Sequence, residues 1–118
     1  MKMKLVVTLT IMLIISSTSF ANEKLGKREV LLDNSSVEVV RLTYPVGTES
    51  GMHTHSHPNR VVYFVKGGKL ELVTENKLQP PKVISVSDGA TLFLPSVSHN
   101  VKNIGNTEVV IVETEVKK

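Results

Sequence analysis

Short runs rich in β-branched and aromatic residues alternate with turn residues from Arg28 onward, and no stretch shows the 3.6-residue period of an amphipathic helix. Prolines and glycines, as in Pro45-Val46-Gly47 and Pro80-Pro81, bound the runs. The pattern therefore predicts an all-β protein of eight or nine strands. The predicted strands are Arg28–Leu32, Val37–Tyr44, Met52–His57, Arg60–Lys66, Leu70–Thr74, Lys82–Val86, Ala90–Leu94, Asn100–Asn103 and Glu108–Val116.

Two dipeptides between these runs are typical of tight turns. Gly67-Gly68 and Asp88-Gly89 can supply positive φ, so we expect a hairpin with antiparallel neighbours at each. Strands of this number, with a turn about every 8–12 residues, are typical of a sandwich or a jelly-roll barrel. Residues 22–27 are polar and are predicted to form a mobile tail or an edge strand that docks on a partner subunit.

The N-terminal residues have the pattern of a secretory signal peptide. Lys2 and Lys4 precede an uncharged apolar run over residues 5–15, and Ser19-Phe20-Ala21 places small residues at the −3 and −1 positions of a cleavage site. The apolar run is shorter than the roughly 20 residues that span a bilayer. We expect residues 1–21 to be removed and residues 22–118 to form one domain, exported to the periplasm or secreted, with no membrane association after cleavage.

Charge and cysteine usage narrow the possible functions. The chain has 14 Lys+Arg and 11 Asp+Glu, and removal of Lys2 and Lys4 leaves 12 basic residues against the same 11 acids, a net charge of +1. Because no dense basic cluster remains, nucleic acid is not an expected partner. The absence of cysteine excludes disulfides, thiol nucleophiles and zinc sites of the Cys type.

The four histidines are the main functional signal. His53, His55 and His57 alternate within five residues, and His99 stands alone. Side chains two residues apart share one face of a strand, so these imidazoles can converge as a metal ion requires. The alternative interpretation is a solvated loop before Pro58, in which exposed imidazoles have no function.

The spacing around these histidines resembles the first motif of the cupins, which is Gly, five residues, His-X-His, three or four residues, Glu, six residues and Gly. Here Gly47, His53-Thr54-His55, position 60 and Gly67 have this spacing, but Arg60 stands where the motif has Glu. The resemblance implies a cupin-type jelly-roll barrel, also called a double-stranded β-helix.

The second cupin motif is Gly, five residues, Pro-X-Gly, two residues, His, three residues and Asn. Gly89, Pro95, His99 and Asn103 resemble it, although the middle Gly is absent and the segment is one residue short. Asn103 matches a position that usually supports a turn. Together the motifs cover Gly47 to Asn103, and the flanking strands fit the rest of such a barrel.

The resemblance implies a divalent metal ion, Zn, Fe, Mn, Ni or Cu, held by His53, His55 and His99, with substrate entering the barrel mouth. In an alternative register His55, His57 and His99 are the ligands, and in a third arrangement His57 is a fourth ligand in place of the lost Glu. Three neutral imidazoles beside Arg60 leave a dication uncompensated, which predicts weaker metal binding than in other cupins unless Arg60 points away.

Two further residues are candidates for substrate binding. Arg60 could pair with a carboxylate or phosphate of the substrate, or it could reach solvent as an ordinary strand residue. Tyr63 and Phe64 point to opposite faces of their strand, so one of them is expected to line the barrel, and Tyr63 is the candidate for substrate contact.

Three classes of function fit these features. The first is a metal-dependent enzyme, of dioxygenase, isomerase or lyase type, that acts on a small organic molecule, an anionic one if Arg60 binds it. The second is a binding protein for a small ligand or metal without chemistry. The third is a structural dimeric module, and a homodimer is expected because barrels of this kind often pair through their sheets.

Overall fold

The computed structural model describes residues 2–4 and 24–118. Most of the predicted signal peptide, residues 1–21, lies outside these ranges and stays a prediction. In the two described ranges no helix is long and apolar enough to cross a membrane.

Residues 24–118 form nine strands, one for each predicted run, and this confirms the all-β fold. The strands are β1 (Lys27–Asp33), β2 (Val37–Tyr44), β3 (His53–His55), β4 (Asn59–Lys66), β5 (Gly68–Thr74), β6 (Lys82–Val86), β7 (Thr91–Leu94), β8 (Val97–Asn103) and β9 (Val109–Val116). β3 ends two residues earlier than predicted because the chain bends at His57-Pro58, where the proline has no N–H to donate to a strand ladder. β8 begins three residues earlier than predicted because Val97 and Ser98 pair with β3.

Two antiparallel sheets form the barrel. The five-stranded sheet has the order β1-β2-β9-β4-β7, and the four-stranded sheet has the order β3-β8-β5-β6. Strands that follow one another in the chain repeatedly lie in different sheets, as β2 and β3 do, and β4 and β5. This crossing pattern is that of a jelly roll and confirms the predicted double-stranded β-helix.

The two predicted hairpin turns are wrong. Gly67 and Asp88-Gly89 lie in connections that carry the chain from one sheet to the other, and hairpins form instead between β1 and β2 and between β5 and β6. Gly89 has the predicted positive φ of 82°, but Gly67 is needed for space, since a Cβ there would lie 2.0 Å from the Val86 carbonyl oxygen. The Gly67 N–H donates to the Asp88 carboxylate at 2.7 Å, so the two crossings contact each other.

Alternation along the strands determines which side chains reach the interior. On β4, Val62 and Phe64 are buried whereas Val61, Tyr63 and Val65 are exposed. The buried apolar core joins residues from both sheets, and each full burial of such a side chain stabilises the fold by about 1.5–3 kcal/mol. Its members are Tyr44, Val62, Phe64, Leu70, Val101, Val109 and Ile111.

Asn103 supports a turn, as the motif position predicts. Its side-chain amide donates to the carbonyl oxygens of Tyr44 at 2.9 Å and Thr107 at 2.8 Å, and its oxygen accepts from the Gly105 N–H at 3.0 Å. The side chain is buried, so these bonds satisfy backbone groups that water cannot reach. Asn103 therefore fixes the connection between β8 and β9.

The predicted N-terminal tail lies along its own barrel over the described residues 24–26. Gly26 N–H donates to the Glu49 carbonyl oxygen at 2.8 Å, and Glu49 N–H donates to the Lys24 carbonyl oxygen at 2.7 Å. Hydrogen bonds within the same chain hold residues 24–26, so these residues need neither the predicted free tail nor the predicted docking on a partner subunit.

Candidate metal centre

Pairing of β3 with β8 brings three histidines together. His53 and His99 are direct partners in this antiparallel ladder, and His55 lies two residues along β3 on the same face. The Nε2 atoms of His53 and His55 are 2.8 Å apart, those of His55 and His99 3.2 Å, and those of His99 and His53 3.1 Å. The three predicted residues thus converge on one point inside the barrel.

The partners of the other ring nitrogens determine the tautomers. His53 Nδ1 donates to the Gly51 carbonyl oxygen at 2.8 Å, and His55 Nδ1 donates to the Glu115 carboxylate. Because these oxygens only accept, both Nδ1 atoms carry the proton, and in a neutral ring Nε2 then presents a lone pair. Two lone pairs facing each other at 2.8 Å repel unless a cation lies beside them.

The spacing of the triangle suits a metal ion. Two nitrogens that each lie about 2.1 Å from a tetrahedral zinc ion are roughly 3.4 Å apart. The observed separations of 2.8–3.2 Å need only a small outward adjustment of the rings. Neutral imidazole nitrogens are also ligands that Zn, Cu, Fe and Ni accept.

Burial keeps the rings of His55 and His99 neutral. Desolvation, with the charges of His53, His55 and Arg60, lowers the pKa of His99 to about 3. Desolvation also lowers the pKa of His55, although its hydrogen bond to Glu115 opposes the shift. At neutral pH His55 and His99 are therefore unprotonated, as metal binding requires.

Two glutamates from the opposite sheet, which the sequence motifs did not indicate, complete the surroundings of the histidines. Glu115 accepts the His55 hydrogen bond, and a Glu113 carboxylate oxygen lies 3.7 Å from the same Nδ1. Both come from β9, at inward positions that continue the alternation of Val109 and Ile111. Acidic residues on the buried face of an apolar strand are the signal that could have identified them.

Arg60 is buried between these groups and does not reach solvent, so the interpretation of an ordinary surface arginine is wrong. Its side chain is 1% exposed, and Nη1 donates to Glu113 at 3.4 Å. Arg60 and Glu115 are direct partners on β4 and β9. The carboxylates of β9 therefore supply the negative charge that appeared to be missing, and Glu113 offsets the guanidinium.

The electrostatics of this group reflect its burial. Desolvation raises the pKa of Glu113, an effect that Arg60 opposes, and desolvation lowers the pKa of Arg60, an effect that Glu113 and Glu115 oppose. An arginine remains protonated under any such shift at physiological pH. The guanidinium is thus a fixed positive charge inside the barrel.

Two candidate residues lie away from the cluster. His57 follows the end of β3 in a half-exposed bend. Among the described side chains, two groups could hold a metal ion, the three histidines and the set of His55, Glu113 and Glu115, and His57 belongs to neither of them. Tyr63 points outward from β4 and is 45% exposed, whereas Phe64 lines the interior. Tyr63 therefore does not line this cavity, because strand alternation gives the inward position to Phe64, and its contact with substrate stays a prediction.

A cavity of about 520 Å³ adjoins the histidines. His53, His99, Arg60 and Glu113 border it, and most of the remaining wall is apolar. This volume and this mixture of few polar groups with many apolar ones are typical of sites for small molecules.

Comparisons with known proteins agree with this architecture. A family model described as "Cupin domain" matches residues 40–115. The chain is 37% identical over 89 residues to the beta-alanine degradation protein BauB of Pseudomonas aeruginosa, an alignment that covers 75% of this chain and 90% of the relative.

Solved structures give the same result. A crystal structure of a cupin domain from Bordetella pertussis superimposes with a TM-score of 0.72 at 34% identity and covers 80% of this chain and 95% of its own. An RmlC-like cupin family protein with a double-stranded β-helix fold from Methanocaldococcus jannaschii gives a TM-score of 0.60 at 18% identity, with coverage of 81% and 84%. The second similarity concerns the fold alone.

Proposed function

Because this chain belongs to the cupin family, we propose that His53, His55 and His99 bind one divalent metal ion at the end of the barrel cavity. The observation that carries the proposal is the convergence of the three Nε2 atoms, which lie 2.8–3.2 Å from one another. A bound ion would accept a coordinate bond from each of them.

The surrounding residues have defined roles in this proposal. The Gly51 carbonyl and Glu115 hold the His53 and His55 rings in the tautomer that directs Nε2 inward, which is the usual function of partners behind ligating histidines. A bound ion would supply Lewis acidity toward an oxygen atom of a small molecule. Glu113 lies close enough to the histidines to hold or release a proton there.

We propose further that the cavity binds a small organic molecule. Its size, its apolar wall and the few polar groups at the histidine end support this. The similar Pseudomonas protein is named for the degradation of beta-alanine, which favours a role in small-molecule metabolism. The same site would serve either catalysis of dioxygenase, isomerase or lyase type or the binding of a ligand without reaction. Turnover of a bound molecule distinguishes these two functions.

Metal content tests the proposal directly. Tag-free protein is reconstituted with Zn²⁺, Mn²⁺, Fe²⁺, Ni²⁺ or Cu²⁺, desalted and measured by inductively coupled plasma mass spectrometry together with protein concentration. We expect about one ion per chain for at least one metal, as three converging imidazoles bind it. Less than about a tenth of an ion per chain for every metal contradicts the proposal.

We also propose that the chain forms a homodimer through the outer face of the five-stranded sheet. Val61, Tyr63, Val65 and Phe93 are exposed there, and Val61 and Phe93 are direct partners on β4 and β7. The other end of this face carries the ion pairs of Lys27, Glu29 and Arg41. An uncharged apolar patch at one end favours a self-complementary contact with a second copy.

Replacement of Phe93 by glutamate is expected to convert a dimer to a monomer in sedimentation velocity. The side chain is 66% exposed, so the folded chain accepts the charge, whereas a dimer interface would have to bury it. Val83→Glu is the matched control, since Val83 is exposed on the outer face of the four-stranded sheet. A wild-type monomer, or equal dissociation by both variants, contradicts this interface.

A further inference from the structure

Arg60 retains unused hydrogen-bonding capacity inside the barrel. A guanidinium has five N–H donors, and its bond to Glu113 uses one of them at a long 3.4 Å. The Nε atom is buried and has no hydrogen-bond partner within residues 24–118. Buried polar groups without a partner are rare in folded proteins, so this one needs a physical reason.

The cavity beside Arg60 has an excess of positive charge. Arg60 and Lys82 border it, whereas Glu113 is the one acidic side chain of the described residues in its lining. Glu115, which accepts from His55, lines a different depression. Since Glu113 offsets Arg60, the remaining positive charge of the lining is that of the exposed Lys82. A dication on the histidines, as proposed, would add to it, so an anionic ligand meets net attraction.

The rest of the cavity wall suits hydrocarbon. Leu70 and Leu72 of β5, Ile84 of β6 and Leu92 of β7 line it from both sheets. The other polar lining residues are Tyr44, Thr74, Gln79 and Lys82, and Thr74 donates to the Gln79 side chain at 3.0 Å. A molecule bound between these walls has space for one charged end beside Arg60 and an uncharged body elsewhere.

From these features we infer that the cavity ligand is a monocarboxylate with an apolar hydrocarbon body, and that Arg60 receives its carboxylate next to the histidine cluster. The inference deepens the proposed function and rests on it for the position of the metal. A guanidinium can donate two parallel hydrogen bonds to the two oxygens of a carboxylate. This geometry favours a carboxylate over a group that accepts one hydrogen bond. The cupin motif has a metal-binding glutamate at this position. Here Arg60 stands in its place and selects the molecule that the cavity binds.

The test measures binding of four probes of the same chain length to metal-reconstituted protein by isothermal titration calorimetry. Hexanoate has the inferred chemistry, hexanamide has the same shape without charge, hexylamine carries the opposite charge, and adipate carries a second carboxylate. We expect hexanoate to bind at least tenfold more tightly than hexanamide or hexylamine, because the charged acceptor is the group that Arg60 recognises. Adipate is expected to be weaker because its second carboxylate enters the apolar region.

Variants assign the effect to Arg60. Arg60→Gln is expected to weaken hexanoate binding at least tenfold and to leave hexanamide unchanged. Since Arg60→Gln leaves Glu113 buried without its partner, the double variant Arg60→Gln/Glu113→Gln removes both charges and keeps the test valid if the single variant fails to fold. Arg41→Gln, at an exposed position on β2, removes one positive charge elsewhere and is the control.

Equal affinities of wild type and the double variant for hexanoate overturn the inference. Hexanamide bound as tightly as hexanoate, or binding of none of the probes, overturns it as well. Metal content is measured on the same samples, so failure of the proposed metal site is seen separately. Protein without metal that still selects hexanoate through Arg60 contradicts the metal proposal and supports the ligand class.

Discussion

Replacing His99 by alanine is expected to reduce bound metal from about one ion per chain to less than about a tenth of that value. His99 is the proposed ligand from β8, and the other two proposed ligands lie on the three-residue strand β3. Two imidazoles on one short strand provide an incomplete ligand set, which leaves the ion open to water and to loss during desalting. Metal content by mass spectrometry after reconstitution measures the effect, and His53→Ala and His55→Ala should give the same result.

His57→Ala is the matched control for these variants. His57 has the same chemistry and lies two residues beyond His55, but the bend at His57-Pro58 keeps it out of the histidine cluster. We expect its replacement to leave the metal content unchanged. Loss of metal in His57→Ala together with retention in His53→Ala would restore the alternative register in which His55, His57 and His99 are the ligands.

Replacing Gly67 by alanine is expected to destabilise the fold by about 3 kcal/mol or more. The new Cβ would lie 2.0 Å from the Val86 carbonyl oxygen and 2.7 Å from the Ser87 carbonyl carbon. These are backbone atoms, so no side-chain rotation relieves the overlap, and the two crossing connections must separate. The free energy of unfolding from urea denaturation, followed by circular dichroism because the chain has no Trp, measures the loss.

Gly47→Ala separates this steric effect from the general cost of replacing a glycine. Gly47 has a φ of 81° but no atom within 4 Å of its ideal Cβ, so its replacement costs only the strain of a left-handed residue, about 1–2 kcal/mol. Equal destabilisation by both variants, or a loss below about 1 kcal/mol in Gly67→Ala, contradicts the packing argument.

Local patterns account for what the sequence predicts well. Buried and exposed side chains alternate in segments such as Arg60–Lys66 because each strand has one buried and one exposed face. This alternation can be predicted without knowing which strand lies next to it. The spacing from Gly47 through His53 and His55 to Gly67 correctly predicts that the two histidines lie together, because these residues are close in the chain. His99 was found through its resemblance to a second short motif.

Pairing between distant segments accounts for what the sequence does not predict. Gly67-Gly68 has the composition of a hairpin turn, but β4 pairs with β7 and β9, and no local signal contains that information. Glu113 and Glu115 reach the histidines only because β9 lies opposite β3 across the barrel. The depth of Arg60 has the same origin, since Glu113 and Glu115 of β9 compensate a charge that would otherwise be expected at the surface.

β9 pairs with β2 and β4 and is the middle strand of the five-stranded sheet, although it comes after the other eight strands in sequence order. During synthesis on the ribosome, the strands that flank it therefore remain without their central partner until Val109–Val116 has emerged. Closing such distant contacts carries an entropic cost before any contact compensates it, which places folding in the slow range of all-β proteins, roughly milliseconds to seconds. Since the same strand carries Glu113 and Glu115, the sheet and the surroundings of the histidines are completed in one late step.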